Sequence, residues 1–100
     1  MDDPTYAALE RLLDVARHDT GQSRRVANFI LAWWNADSLG GFDLSDIFAV
    51  DREIARDMAI IVRGLAEAPV AEYPEAYRAQ IENLIRLWRP EVWARTVETA

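Results

Sequence analysis

The chain has no cysteine, no lysine and a single histidine, and none of its apolar runs is long. Small secreted domains commonly depend on disulfides, so the lack of cysteine favours a reducing cytoplasm. One histidine without cysteine cannot supply the three or four ligands of a zinc site, and we expect neither metal nor cofactor. The apolar runs are too short to span a bilayer, and the acidic residues 1–10 lack the apolar core of a signal peptide.

The chain is instead rich in apolar side chains and in negative charge. Its 100 residues are 51% hydrophobic and 10% aromatic, with four tryptophans, which is enough for one packed domain over residues 1–100. The net charge of −6 opposes nucleic acid as the main partner, because nucleic-acid binding depends on neutralising phosphates. An acidic protein is expected to attract basic surfaces.

Hydrophobic periodicity predicts an all-α fold, a single small bundle of five or six helices. The predicted helices run from about Pro4 to Arg17, from Thr20 or Ser23 to Asp37, over Leu44–Ala49, from Asp51 to Glu67, from Pro74 to Arg89, and over a last segment that carries Val92, Trp93 and Val97. In the fourth of these, the predicted inward stripe consists of Ile54, Met58, Ile61, Val62 and Leu65. No period-2 strand pattern and no repeat is present.

Three aspartates stand where helix caps are expected. Asp3 precedes Pro4, a residue that suits the first helical turn, and Asp51 precedes the helix that ends at Glu67. Asp43 follows Phe42, and Ile47 lies four positions after Asp43, which is the spacing of a hydrophobic staple. We therefore expect Phe42 and Ile47 to fix the chain at the start of the short helix.

An acidic segment, residues 37–57, is the strongest candidate for a binding surface. It contains six carboxylates against two arginines, and it therefore carries −4 of the net charge. The carboxylates are Asp37, Asp43, Asp46, Asp51, Glu53 and Asp57. Two of them are predicted caps, and the others need no such role. A dense patch of one sign can steer binding to a cationic groove, although a solvated face with no partner explains the same pattern.

Two adjacent pairs of residues leave their roles open. Trp33 and Trp34 point about 100° apart on a helix, so either both are buried between neighbours or Trp34 is a partly exposed anchor. Arg24 and Arg25 lie in the first helical turn, where cations oppose the helix dipole. Either a carboxylate of the chain pairs with them, or they meet an acidic partner or a phosphate.

No catalytic apparatus is visible in the sequence, and we expect the protein not to be an enzyme. His18 lies in a turn, the serines lack a nucleophile-elbow context, and Gly40-Gly41 follows a helix rather than a strand. Nothing suggests a nucleophile, a base and an orienting group brought together.

Five short segments resemble a family of small acidic proteins encoded by bacterial phages, prophages and conjugative elements. They are residues 19–22 (DTGQ), 24–27 (RRVA), 32–36 (AWWNA), 40–44 (GGFDL) and 88–90 (WRP). The chain also resembles the sixth family of anti-CRISPR inhibitors of the type I-F system, which is similarly short, acidic and helical. The resemblance covers most of the chain, but none of its motifs is a catalytic signature.

This resemblance implies an inhibitor in the host bacterial cytoplasm, and from its capped amphipathic helices we expect it to be monomeric. It would bind the crRNA-guided type I-F surveillance complex at the large subunit and the adjacent backbone subunit, and keep target DNA from the guide. Charge independently suggests the acidic segment as the contact, with Trp34, Arg24 and Arg25 as further candidates. The alternatives are an antitoxin or accessory protein of a mobile element, and a helix-turn-helix regulator that uses Arg24-Arg25, which the net charge disfavours.

Overall fold

A computed structural model describes the backbone of residues 1–99 and the side chains of residues 1–96. Five α-helices follow one another: α1 (Asp3–Ala16), α2 (Gly21–Leu39), α3 (Arg52–Glu67), α4 (Arg78–Trp88) and α5 (Pro90–Thr99). Two 3₁₀ helices, Leu44–Ala49 and Glu75–Tyr77, lie in the connections, and the described residues contain no strand. The all-α prediction is confirmed. The predicted inward position of Val97 lies outside the described side chains.

Helix α1 is the centre of the bundle, because it packs against α2, α3 and α4. Its fully buried Leu9 and Leu12 meet the apolar faces of these three helices. Helix α5 packs on α4 and contributes half-buried Val92 and Trp93 to the edge of the core. The result is one continuous core that is covered on one side by the acidic segment.

The start of α1 differs from the prediction. Asp3 is the first helical residue, and Asp2 is the cap: its carboxylate accepts hydrogen bonds from the backbone N–H of Thr5 at 3.0 Å and from the Thr5 hydroxyl at 2.6 Å. These bonds lower the pKa of Asp2. A cap side chain usually accepts from the N–H three residues later, as Asp2 does from Thr5. The sequence could not distinguish Asp2 from Asp3, because both precede Pro4.

Helix α2 begins as predicted and ends two residues later than predicted. Thr20 caps it by accepting from the Ser23 N–H at 2.9 Å, and Gly40 ends it with φ of +93°, which favours glycine. A kink at Asn35 (φ −168°, ψ 86°) interrupts the helix. The Asn35 side chain accepts from the Ser38 N–H at 3.3 Å and so caps the last turn. The kink allows Leu39 to reach the core, where it is buried.

The inward stripe of α3 was predicted partly wrongly. Ile54, Met58 and Ile61 are buried, but Val62 is 53% exposed and Asp57 is buried in its place. Asp57 is buried because Arg11 of α1 faces this side of α3 and donates hydrogen bonds to its carboxylate. The core face of α3 is therefore rotated towards Asp57.

The Trp88-Arg89-Pro90 segment joins α4 to α5 and fastens both to the N-terminal half. The Trp88 indole donates to the carbonyl of Ala16 at 2.8 Å. The guanidinium of Arg89 donates to the carbonyls of Leu39 and Trp88 and to the side-chain oxygen of Asn28. Arg89 thus satisfies a carbonyl at the end of α2, a task usually left to backbone or water.

Candidate partner-binding surface

The six carboxylates of the acidic segment do not form one equivalent set. The segment runs from the last turn of α2 through the 3₁₀ helix Leu44–Ala49 into the first half of α3. Four of its carboxylate residues are exposed: Asp37, Asp43, Asp51 and Glu53. Asp46 is half-buried and Asp57 is buried. The structure therefore reduces the predicted surface from six carboxylates to four freely accessible ones.

Asp57 has a structural role that the sequence analysis did not expect. Arg11 donates to it through Nη2 at 2.8 Å and Nε at 3.0 Å, and the carboxylate is only 12% exposed. The pair raises the pKa of Arg11 through this hydrogen bond and through charge attraction. Such a two-point contact fixes the orientation of both groups. Asp57 is therefore a link between α1 and α3, and it is withdrawn from the candidate surface.

Asp46 is also engaged within the chain. Its carboxylate lies 3.7 Å from Nε of Arg25, and both side chains are less than one-third exposed. That nitrogen is buried without a hydrogen-bond partner in the described structure, so the pair is ionic rather than hydrogen-bonded. Of the two roles left open for Arg25, the structure shows pairing within the chain, and Asp46 is the carboxylate. Arg24 is exposed.

The two predicted caps behave differently from each other. Asp43 caps the 3₁₀ helix by accepting from the Ser45 N–H at 2.9 Å and the Ser45 hydroxyl at 2.7 Å, which lowers the pKa of Asp43. Asp51 precedes α3 but makes no side-chain cap. Instead, its N–H donates to Oε1 of Gln22 at 2.6 Å and its carboxylate accepts from Nε2 of Gln22 at 3.3 Å. Asp51 therefore occupies the predicted N-cap position of α3, but its side chain contacts Gln22 of α2 and makes no cap hydrogen bond.

Within the acidic segment, two large apolar side chains point to solvent. Phe48 is 85% exposed and Leu44 is 73% exposed, the two most exposed large apolar residues described. Both lie on the 3₁₀ helix, which has the bounds predicted for the short helix. The sequence feature that indicates their exposure is that Phe42 and Ile47 already supply the apolar contacts that so short a helix needs. Leu44 and Phe48 were therefore surplus to the core.

Trp34 lies beside α4 rather than in the open. Its ring is half-buried, and the guanidinium of Arg78 lies over it at 4.9 Å from the ring centroid, in cation–π contact. A cleft next to it also includes Glu82, Val92 and Trp93. Trp33 is half-buried as well, and its indole donates to the carbonyl of Glu72 at 2.9 Å. Both tryptophans thus contribute mainly to packing between elements.

Neither a metal site nor a membrane span is evident in the described part of the chain. The described residues contain no group of three or more histidine, cysteine, aspartate or glutamate side chains placed to hold a metal ion. No helix among them combines the length and apolar character that crossing a bilayer requires. His18 is an exposed turn residue.

Comparison with known proteins gives a family for this chain. No curated protein and no solved structure matches it. A family model described as a family of unknown function (DUF7673) matches residues 6–89, which run from the first turn of α1 to the residue after α4. The match includes the whole acidic segment, Trp34 and Arg24-Arg25. The chain therefore belongs to the DUF7673 family.

Proposed function

We propose that the protein is a non-enzymatic inhibitor that binds the type I-F crRNA-guided surveillance complex and blocks access of target DNA. The observation that carries this proposal is the set of four exposed carboxylates, Asp37, Asp43, Asp51 and Glu53, on one acidic segment. The sequence resemblance described above supplies the identity of the partner. Its contact sites would be the large subunit and the adjacent backbone subunit.

Electrostatics supports binding at a surface that otherwise holds DNA. Channels that hold nucleic acid in guide-dependent complexes are positively charged. An acidic protein is drawn to such a channel by the same field that draws phosphates, and this attraction raises the association rate. Added salt should therefore weaken the binding of both the inhibitor and DNA to the channel.

A second candidate function is a protein-interaction module of a mobile element, such as an antitoxin or an accessory factor. The exposure of Phe48 and Leu44 favours this reading, because charge alone would serve to occupy a DNA channel. A dedicated protein partner would use these apolar side chains. Co-purification from hosts with and without a type I-F system separates the two functions, since only the inhibitor requires the complex.

The direct test is phage plaquing on a strain with an active type I-F system, with and without this protein. We expect expression to restore plaques. With purified complex, the protein added first should prevent target DNA from binding, and DNA added first should protect the complex. Unchanged plaquing together with no binding to the purified complex would refute the proposal.

The contribution of the acidic segment is tested by charge reversal at two exposed positions whose side chains make no ion pair or hydrogen bond in the described structure. The double change Asp37→Lys with Glu53→Lys should weaken binding to the complex by about tenfold or more. The control, Asp19→Lys with Glu91→Lys, alters the net charge equally at two exposed residues outside the segment. Asp46 and Asp57 are left unchanged because their replacement would break the pairs with Arg25 and Arg11. Equal loss in both double variants would show that only net charge matters.

A further inference from the structure

The three phenylalanines of this chain have three different surroundings. Phe29 is buried, Phe42 is half-buried with its ring edge-on to Phe29 at 5.3 Å, and Phe48 is 85% exposed. Leu44, four residues before Phe48 on the same 3₁₀ helix, is 73% exposed. Single exposed apolar residues are common on protein surfaces. Two such residues on one six-residue helix, both almost uncovered, are not explained by folding.

Contacts on both sides hold this helix in place. Asp43 caps its first turn, and Ile47 packs against the core. From the other end, the guanidinium of Arg52 donates to the carbonyls of Ile47 at 2.7 Å and Val50 at 2.6 Å. The Arg25–Asp46 pair ties the middle of the helix to α2. Phe48 is thus presented on a fixed support, which lowers the entropy lost when a partner covers it.

We propose that Phe48 is a hydrophobic anchor that packs against an apolar surface bordered by arginine or lysine side chains on a protein partner, with Leu44 of the same 3₁₀ helix as a second apolar contact. This proposal rests on the proposed function. It adds the residue that makes the contact and the chemistry of the partner surface. An aromatic residue with few rotatable bonds is the type that commonly dominates interface energetics.

The charges around Phe48 select this occupant among the possible ones. The carboxylates around the two apolar residues along the chain are Asp43, Asp46, Asp51 and Glu53. Two arginines oppose them, Arg25 paired with Asp46 and Arg52 on the carbonyls of Ile47 and Val50, so the surroundings keep a net negative charge. Nucleic acid and anionic membranes carry the same sign and are repelled. A second copy of this chain would place carboxylates against carboxylates, which is also unfavourable. A protein surface with an apolar patch among basic side chains complements both the net negative charge and the exposed ring.

The experiment uses two synthetic helical peptides that carry the same number of arginines. The first peptide has a leucine face, and in the second each leucine is replaced by glutamine, which has a similar helix propensity. Calorimetric titration of the full chain should show about tenfold tighter binding of the leucine peptide. Phe48→Ala should abolish this preference and leave binding of the glutamine peptide unchanged. Leu44→Ala should reduce the preference.

The matched control is Leu87→Ala, which removes a leucine that is 51% exposed on α4 and should leave both affinities unchanged. The inference is overturned if the parent protein does not prefer the leucine peptide, or if Phe48→Ala retains the preference. It is also overturned if Phe48→Ala disperses a dimer of the parent in sedimentation, or if the parent binds anionic phosphatidylglycerol vesicles through Phe48. A parent that prefers the leucine peptide but fails to bind the type I-F complex would refute the proposed partner and retain the anchor.

Discussion

The carboxylate of Asp57 on α3 accepts hydrogen bonds from the guanidinium of Arg11 on α1 through both of its oxygens, at 2.8 and 3.0 Å. The two residues are 46 positions apart in the sequence, so the pair fixes one helix against the other. The same contact removes one carboxylate from the acidic segment. A charge that is counted towards binding in the sequence thus belongs to the stability of the bundle.

Replacement of Asp57 should therefore affect stability much more than replacement of Glu53, four positions earlier on the same helix. We expect Asp57→Lys to lower the free energy of unfolding by about 2 kcal/mol, below the range for fully buried pairs because Arg11 is half exposed. Glu53→Lys, at an exposed site in the first turn of α3, loses only the favourable interaction with the helix dipole and should lower it by about 1 kcal/mol at most. Urea denaturation of both variants measures the difference, and equal stabilities would contradict the structural role of Asp57.

Phe42, just before the 3₁₀ helix Leu44–Ala49, and Phe48, within it, make a second matched pair. Phe42→Ala should lower the free energy of unfolding by about 2 kcal/mol, because its half-buried ring packs edge-on against Phe29. Phe48→Ala should leave it within about 0.5 kcal/mol of the parent. Thermal denaturation followed by circular dichroism tests both. A large loss in Phe48→Ala would mean that the ring is covered in the folded chain.

Gly64 allows α1 and α3 to approach closely. A Cβ atom at this position would lie 3.0 Å from the hydroxyl oxygen of Thr5, whose side chain is buried. Alanine in a helix interior normally stabilises by about 1 kcal/mol relative to glycine. We expect Gly64→Ala to bring no gain in the parent, and to bring about 1 kcal/mol in a Thr5→Ala background. Equal effects in the two backgrounds would show that the approach is not close.

The raised pKa of Tyr77 leads us to expect that the folded protein loses stability at alkaline pH. Its hydroxyl donates to Oε1 of Glu10 at 2.6 Å, and this bond, with desolvation and the charge of Glu10, raises the pKa of Tyr77 to about 12. Below the ordinary pKa near 10 the stabilisation is complete, because the tyrosine is protonated in both states. Between pH 10 and 12 only the unfolded chain loses the proton, so stability falls as pH rises.

Ultraviolet titration measures this shift directly, since the chain has three tyrosines. One tyrosinate should appear only near pH 12 in the folded protein, and Tyr77→Phe should remove that late step. Tyr73→Phe, at an exposed position, serves as the control and should leave it in place. A late step that persists in Tyr77→Phe would assign the raised pKa to another residue.

The helices could be predicted from the sequence because their signals are local. Apolar spacing located α1 to α4, and glycine and proline marked their ends at Gly40 and Pro90. The kink at Asn35 and the burial of Asp57 could not be predicted in this way. The burial of Asp57 depends on Arg11, 46 positions away, and periodicity within one helix contains no information about that neighbour. At Asn35 the contact is local, with the N–H of Ser38, but apolar spacing does not signal a break in the helix.

The candidate surface shows the same division. Charge counting identified the segment but could not separate exposed carboxylates from those held by Arg11 or Arg25, because ion pairs form between distant residues. It also passed over Phe48, since an apolar residue in a short helix is usually buried. That Phe48 is left uncovered follows only from the position of the helix on the bundle.

The central position of α1 has a consequence for synthesis on the ribosome. Its apolar face is completed by α4, and the Trp88 indole binds the carbonyl of Ala16, 72 residues earlier. At translation rates of roughly 5–20 residues per second, the 60 residues between Arg17 and Arg78 take roughly 3–12 s to make. During this interval the first helix can pair only with α2 and then α3. The part of the apolar face of α1 that α4 covers therefore has no partner within the chain until the last quarter of the sequence has been made.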